Sequence, residues 1–519
     1  MADLIFYNGT FLTLTPDAPR AEALAVRGRR ILAVGTEAEV RAVAANAEPV
    51  DLQGRCLLPG FHDSHVHLTQ HGLELSQVKL ADCATQEEGL ARVAQRAAEL
   101  PEGEWLLGAG FLMSRWDVSE LTKSDLDRAA PHHPVLLRSQ DHHSAWANSL
   151  ALELTGVSAS TPDPQNGTVV KNARGEPTGL LLEKALHLVW DKVAPPSAEH
   201  LRAAVRQAGE HLASLGVTTV HHMAYEPAPY WREMASQASH EAYPVRVWAC
   251  INQEDAEAAA AIGLATGQGG EFFQIGGPKF FADGALGSLT AHMLDPYEGT
   301  TTTGMTVHGY ETLLERFPLV IKAGLVPVTH AIGDAANRAV LNALTQTRDL
   351  WQPLGMRPRV EHVQHLHPAD LNRFAELGVV ASMQPYHFRF DAKRAHELLG
   401  DRLKTTHAWR SLLASGAVLA FGSDAPVAEP DVLGSLETAL TRISEEGEVF
   451  YAAEALTLEQ ALTAYTRGAA YAISREGRSG QLSTGFDADL VILSHNPHEG
   501  LAGLKVSATM KAGRWTFEA

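Results

Sequence analysis

Cysteine is scarce in this chain. Three occur among 519 residues, Cys56, Cys83 and Cys250, far apart and without a Cys-x-x-Cys pair. That spacing excludes a disulfide framework and a cysteine-based zinc site. Positive charge is also in deficit, with 42 Lys and Arg against 61 Asp and Glu and a formal net charge of −19. Nucleic-acid binding needs clustered Lys and Arg to neutralise phosphates, and no such cluster occurs, so nucleic acid is excluded as a partner. The excess acid acts mainly on solubility. No uninterrupted apolar run reaches the ~20 residues that span a bilayer. The opening MADLIFYNGTFLTL has an early acid and no basic segment ahead of an apolar one, unlike a secretory signal. The expectation is a cytoplasmic, reducing location with no membrane partner. The composition, 45% hydrophobic and 20% charged, excludes disorder and fibres. Histidine is plentiful instead, with 25 residues, many beside strand-like runs.

A chain of this length exceeds one simple core, which implies a large domain with at least one smaller one. Residues 1–56 read as short strands with tight turns. LIFYNGTFLTL carries Asn8-Gly9 between two apolar runs, the pattern of a hairpin, and ALAVRGRRILAVG repeats it around Gly28. Residues 480–519, with DADLVIL and VSATMKAGRWTF, look alike. Neither segment alone buries enough surface to be stable, so 1–56 and 480–519 are expected to join as a small β-sandwich domain. Residues 57–479 alternate strands and helices. LLPGFHDSHVHL is followed by strand-like runs at 216–223, 243–251, 275–284, 324–334, 357–365, 378–385 and 416–426. Eight βα units of the α/β class make a (β/α)8 TIM barrel, with its active site at the carboxyl ends of the strands. The stretch of about 70–215 after the first strand is too long for a loop and reads as an inserted subdomain.

His65-Val66-His67 closes the first barrel strand. Residues two apart in an extended segment point the same way, so both imidazoles reach one ion. Other ligand types close other strands: Lys279 the fourth, His330 the fifth, His362 the sixth and Asp424 the eighth. Nitrogen and oxygen donors of this kind suit zinc or a similar divalent ion. A lysine at a strand end could instead pair with Asp283, and Ser-Asp-Ala-Pro around Asp424 could cap a helix. His365 and His367 rival His362, and alternation puts His365 on a different face. Asp63 is a candidate to hydrogen-bond a ligand imidazole. One of His221 and His222 is expected to face the barrel mouth. His143, Asn148, Asp283, Gln384 and His387 are candidates to contact substrate. Trp116 and Trp146 fit either an aromatic wall or the insert's own core.

These segments together resemble the amidohydrolase superfamily, in its YtcJ-like branch of N-substituted formamide deformylase relatives. GFHDSHVHL is similar to the first-strand motif, KFFADGALGS to KLFADGSLGS, and RVEHVQHL to RIEHAQHL. FGSDAPV and GFDADLVIL match the last-strand and C-terminal motifs, and DHHSAWANSLAL resembles DGHSAWVNSLAL. The resemblance runs from residue 4 to about 513. It implies that His65 and His67 bind the more buried metal, and that Lys279, carboxylated by carbon dioxide, bridges two metals or ligates one. His330 and His362 then hold a second metal or shape the site. Asp424 takes a proton from metal-activated water and passes it to the leaving group. The implied reaction is hydrolysis of a C–N bond in an amide, formamide or cyclic amide, with one or two Zn2+ or another divalent ion as cofactor. The same machinery cleaves esters and lactones, which keeps an esterase or lactonase as the alternative. A silent binding barrel would have lost Asp424 or the His pair, and both are present. The partner implied is a small-molecule substrate, and a homodimer is the default assembly of a soluble enzyme.

Overall fold

A computed structural model describes residues 3–111, 113–116, 118, 120–139, 144–165 and 167–519. Its centre is an eight-stranded parallel sheet of Phe61–Val66, Val217–His222, Arg246–Asn252, Phe273–Phe281, Val328–Ala331, Arg359–His362, Val380–Met383 and Leu419–Phe421, paired in that order. These strands are buried almost throughout, because helices cover the outer face while side chains fill the inside. The first and last strands meet at a parallel bridge between Val66 and Ala425. There the His67 N–H donates to the Ala425 carbonyl (2.8 Å) and the Asp424 N–H to that of His65 (2.6 Å). The eight sequence runs thus coincide with eight barrel strands, the first of them only from Phe61 onward.

Cys56–Pro59, just before it, pairs elsewhere. It sits in a six-stranded sheet ordered Arg514–Glu518, Val506–Lys511, Leu490–Leu493, Cys56–Pro59, Thr10–Leu12, Arg20–Ala21. A four-stranded sheet, Arg30–Gly35, Ala23–Arg27, Leu4–Tyr7 and Glu48–Asp51, faces it. Phe6, Leu24 and Ile31 from one sheet and Leu57, Ile492 and Met510 from the other fill the space between them. The two chain ends therefore complete one core, as the weakness of either alone required. Ala23–Arg27 and Arg30–Gly35 form the expected hairpin around Gly28, at φ 56°. The Asn8-Gly9 turn does not. Leu4–Tyr7 and Thr10–Leu12 lie in different sheets, so the turn carries the chain from one layer to the other. Gly9 is needed there for close approach: a Cβ would stand 2.5 Å from the Arg55 carbonyl oxygen and 2.6 Å from Leu52 Cβ.

The chain divides into two compact units, Met1–His71 with Arg206–Ala519, and Gly72–Val205. Sandwich and barrel share the first, tied by a buried ion pair between Arg246 and Asp489 (2.6 Å). The second is narrower than the expected 70–215. It has its own six-stranded sheet, Gly167–Lys171, Pro177–Glu183, Ser144–Ala147, Val135–Ser139, Leu106–Phe111 and Val78–Lys79. Trp116 and Trp146 belong to its core, edge to face at 6.4 Å, and their indole N–H groups donate to the carbonyls of Cys83 and Thr122. Cys56, Cys83 and Cys250 are all buried free thiols. Among the described residues no helix is long and apolar enough to cross a membrane.

Candidate metal centre

A cavity of about 490 Å³ opens at the carboxyl ends of the barrel strands. His65, His67, Lys279, His330, His362 and Asp424 all line it, and His387 joins them from the helix after the seventh strand. Phe281, Leu286, Ile332 and Phe390 supply an apolar wall.

His65 is held from behind. Its Nδ1–H donates to Oε2 of Glu361 (2.7 Å), and Glu361 is in turn bound by Arg359 (2.6 Å). Burial works against the Glu361 carboxylate, but the Arg359 charge and the His65 bond outweigh it and keep its pKa well below the usual range. Arg359 also reaches the Ser64 carbonyl, Ser382 Oγ and His221 Nδ1, so the network is fully enclosed. A fixed Nδ1–H leaves His65 Nε2 as the free donor atom.

That atom lies 3.3 Å from Asp424 Oδ1, and His67 Nε2 lies 3.5 Å from the same oxygen. Ligands ~2.1 Å from a tetrahedral ion stand about 3.4 Å from one another, so both His–Asp separations match a metal's ligand set, and all three donors lie within 4.8 Å of one another. His67 Nδ1 is buried without a hydrogen-bond partner. The residues present therefore fit a divalent ion. Burial also opposes the charge on Asp424, yet His65 and the bonds from both imidazoles hold its pKa well below the ordinary carboxylate value. Asp424 (φ 64°) and His362 (φ 75°) both adopt left-handed backbone that non-glycine residues rarely occupy. Such conformations persist where the surroundings impose them, which is common at functional sites.

Lys279 is buried at the end of the fourth strand, and desolvation lowers its pKa against the pull of Glu361 and Asp424. His362 donates from Nδ1 to Gln384 Oε1 (2.8 Å), which turns its other nitrogen toward the cavity. His330 is engaged differently: its Nε2 meets the Gly284 carbonyl (3.0 Å), and burial lowers its pKa to about 3.

The sequence pattern of the amidohydrolase family matches residues 48–517. The chain belongs to that family. It is 33% identical to the "Putative amidohydrolase YtcJ" of Bacillus subtilis, over 95% of this chain and 94% of that one. It is 27% identical to the "N-substituted formamide deformylase" of Arthrobacter pascens, over 97% and 95%. A structure described as an uncharacterized metal-dependent hydrolase from Pyrococcus horikoshii superposes with TM-score 0.79 at 27% identity, over 97% of this chain and 99% of that one.

In this amidohydrolase several sequence expectations need correction. Asn148 is spent inside the Gly72–Val205 unit. Its Oδ1 accepts from Ala151 N–H (2.9 Å) and Val135 N–H (3.0 Å), and its Nδ2 donates to the His133 carbonyl (2.8 Å), so it caps the helix Ser149–Thr155. Asp283 does not line the cavity. It accepts the backbone N–H groups of His292, Ile332 and Gly333 and so shapes the loops after the fourth and fifth strands. Gln384 supports His362 rather than facing the cavity. Of the candidates for substrate contact, His387 lines the cavity, and His143 lies outside the described residues. Asp63 holds no imidazole. It accepts the backbone N–H of His65 and of Ser423, pinning the first strand to the end of the eighth. His365 meets Thr406, and His367 caps a turn at Ala369. His221 and His222 are buried, and neither lines the cavity; they serve Arg359 and the Leu68 N–H. The sequence reading missed Glu361 and Arg359, and also Gln364 and Asp391, which line the cavity with the Gln364 amide donating to the Asp391 carboxylate. The alternation of Arg359 and Glu361 in RVEH, both on one face, was the available signal.

Proposed function

We propose that this amidohydrolase is a divalent-metal-dependent hydrolase that cleaves a C–N bond in a small amide, formamide or cyclic amide. The spacing of His65 Nε2, His67 Nε2 and Asp424 Oδ1 in the cavity carries the reading. The chain's similarity to an amidohydrolase and to an N-substituted formamide deformylase supports the C–N class. Zinc suits the nitrogen and oxygen donors. A divalent ion there, when bound, supplies polarisation of a carbonyl and acidification of water. His65 and His67 hold it, with Glu361 fixing the ring of His65. Asp424 is the general base and then the acid: it receives a proton on its carboxylate and returns it to the departing nitrogen. Its low pKa keeps it ionised, ready to accept, at neutral pH. Lys279, with its lowered pKa, is the residue to carry a carbamate, since only the neutral amine adds carbon dioxide. The apolar wall of Phe281, Leu286, Ile332 and Phe390 receives the substrate's hydrocarbon part.

Elemental analysis of protein purified without chelators tests this, together with release of amine from a panel of N-formyl and N-acyl amines. Zinc should be present in the parent and absent from the His65→Ala, His67→Ala double variant. Metal retained in full by the double variant refutes the site.

A further inference from the structure

The helix Pro385–Leu399 turns one face to the cavity. His387, Phe390 and Asp391, spaced i, i+3 and i+4, all line it. His387 lies beside Asp424, its Nε2 3.6 Å from Oδ2. Asp391 stands apart from the clustered histidines and Asp424, and among the described residues no ion pair engages it. Its Oδ2 accepts the Gln364 amide N–H (3.1 Å), which fixes the carboxylate in place, and its Oδ1 takes no hydrogen bond. Gln364 is only 3% exposed, its backbone carbonyl is held by the His407 N–H, and its Oε1 is buried without a hydrogen-bond partner. Two unclaimed acceptor oxygens therefore stand side by side, one of them on a carboxylate. Burial raises the pKa of Asp391 against the smaller pull of His387 and of the Gln364 bond. A cation in contact would offset that cost of burial. Among the described residues that line the cavity there is no arginine, and Lys279 is the one lysine. Beyond the metal centre, nothing in the cavity would pair with an anionic substrate group.

Resting on the hydrolase reading above, we propose that Asp391 sets substrate specificity by receiving a cationic hydrogen-bond donor, an ammonium or guanidinium group, that the substrate carries away from the C–N bond to be cleaved. Gln364 holds the carboxylate through Oδ2 and leaves Oδ1 for the substrate's N–H. A charge-assisted bond of this kind is stronger than a neutral one and favours the cation over an uncharged group of the same size. Phe281, Leu286 and Phe390 supply the apolar surface for a hydrocarbon spacer between the cation and the scissile bond. The substrate class is then a basic amide or formamide, such as a singly acylated diamine, and an acidic one is rejected.

The test uses three series of compounds matched in length: mono-N-formyl diamines ending in ammonium, N-formyl alkylamines ending in methyl, and N-formyl ω-amino acids ending in carboxylate. Spacer length is stepped one methylene at a time. Two quantities are read on the full chain: kcat/KM with zinc supplied, and calorimetric affinity for the metal-free protein, which requires no turnover. Asp391→Asn keeps an acceptor for Gln364 and removes the charge, Asp391→Lys reverses the charge, and circular dichroism establishes that each is folded. At the best spacer length the parent should prefer ammonium to methyl by about 10–100-fold and should disfavour carboxylate. Asp391→Asn should lose the preference, and Asp391→Lys should pass it to the carboxylate series. A parent that shows the preference in neither quantity, or an Asp391→Asn variant that keeps it, overturns the subsite. Hydrolysis of the alkylamine formamides without any such preference sinks the subsite and leaves the proposed function standing. An ammonium preference in affinity that Asp391→Asn abolishes, with no compound hydrolysed, upholds the subsite and removes formamides from the proposed function.

Discussion

Glu226, just beyond the second barrel strand, should make stability depend on pH in a way one substitution removes. Its Oε1 accepts the Gln70 N–H (3.0 Å), whereas its Oε2 is buried without a hydrogen-bond partner, 3.9 Å from His222 Nε2. Burial is the largest influence and raises its pKa from 4.5 to about 7. Between those values the folded chain holds a proton that the unfolded chain has released. The unfolded state then binds fewer protons, so stability falls as pH rises through the window and levels off above about pH 7. Each pH unit is worth about 1.4 kcal/mol, and the whole window about 3 kcal/mol. Glu226→Gln keeps an oxygen for Gln70 and cannot ionise, so this slope disappears. The difference between variant and parent is the measured quantity. Urea midpoints followed by tryptophan fluorescence, taken in steps from about pH 4.5 to about pH 8, should show the variant gaining on the parent by about 3 kcal/mol and then running parallel. Profiles parallel throughout the range would refute the reasoning.

Asp424→Asn removes the proton acceptor and should lower turnover by about 100-fold or more; near-parental kcat excludes the proton-transfer role. Glu361→Gln leaves Arg359 short of its buried counter-charge and frees the His65 ring. It should cost about 3–5 kcal/mol of stability and weaken metal binding by about 10–100-fold. Chelator competition measures the second effect, and an unchanged affinity removes Glu361 from the positioning role. Gly9→Ala drives a Cβ against Arg55 and Leu52 and should destabilise by about 1–3 kcal/mol, read as a lowered thermal midpoint.

How much of this was legible beforehand differs by element. The barrel was, because buried parallel strands write themselves as apolar runs and each ends in a polar tip. His65, His67, Lys279, His330, His362 and Asp424 all stand in one cavity, because side chains at strand ends converge once the barrel closes. The Asn8-Gly9 turn misled, since a turn dipeptide specifies a local backbone and not the sheet its flanking strands enter. Asn148, Asp283 and Gln384 misled for a related reason. A polar side chain near a motif has the chemistry to bind substrate, but here backbone N–H groups and an imidazole had prior claim on each.

Strand order, donor types and the strand ends that carry them can be read along the chain, because they depend on local period and on residue identity. Which donor atoms are free depends on packing between distant segments. Glu361 and Gln384 each occupy Nδ1 of a histidine, the Gly284 carbonyl takes Nε2 of His330, and His387 is left with an unpaired nitrogen beside Asp424. Those outcomes come from groups tens to hundreds of residues apart that burial forces to satisfy one another, and no local pattern records them.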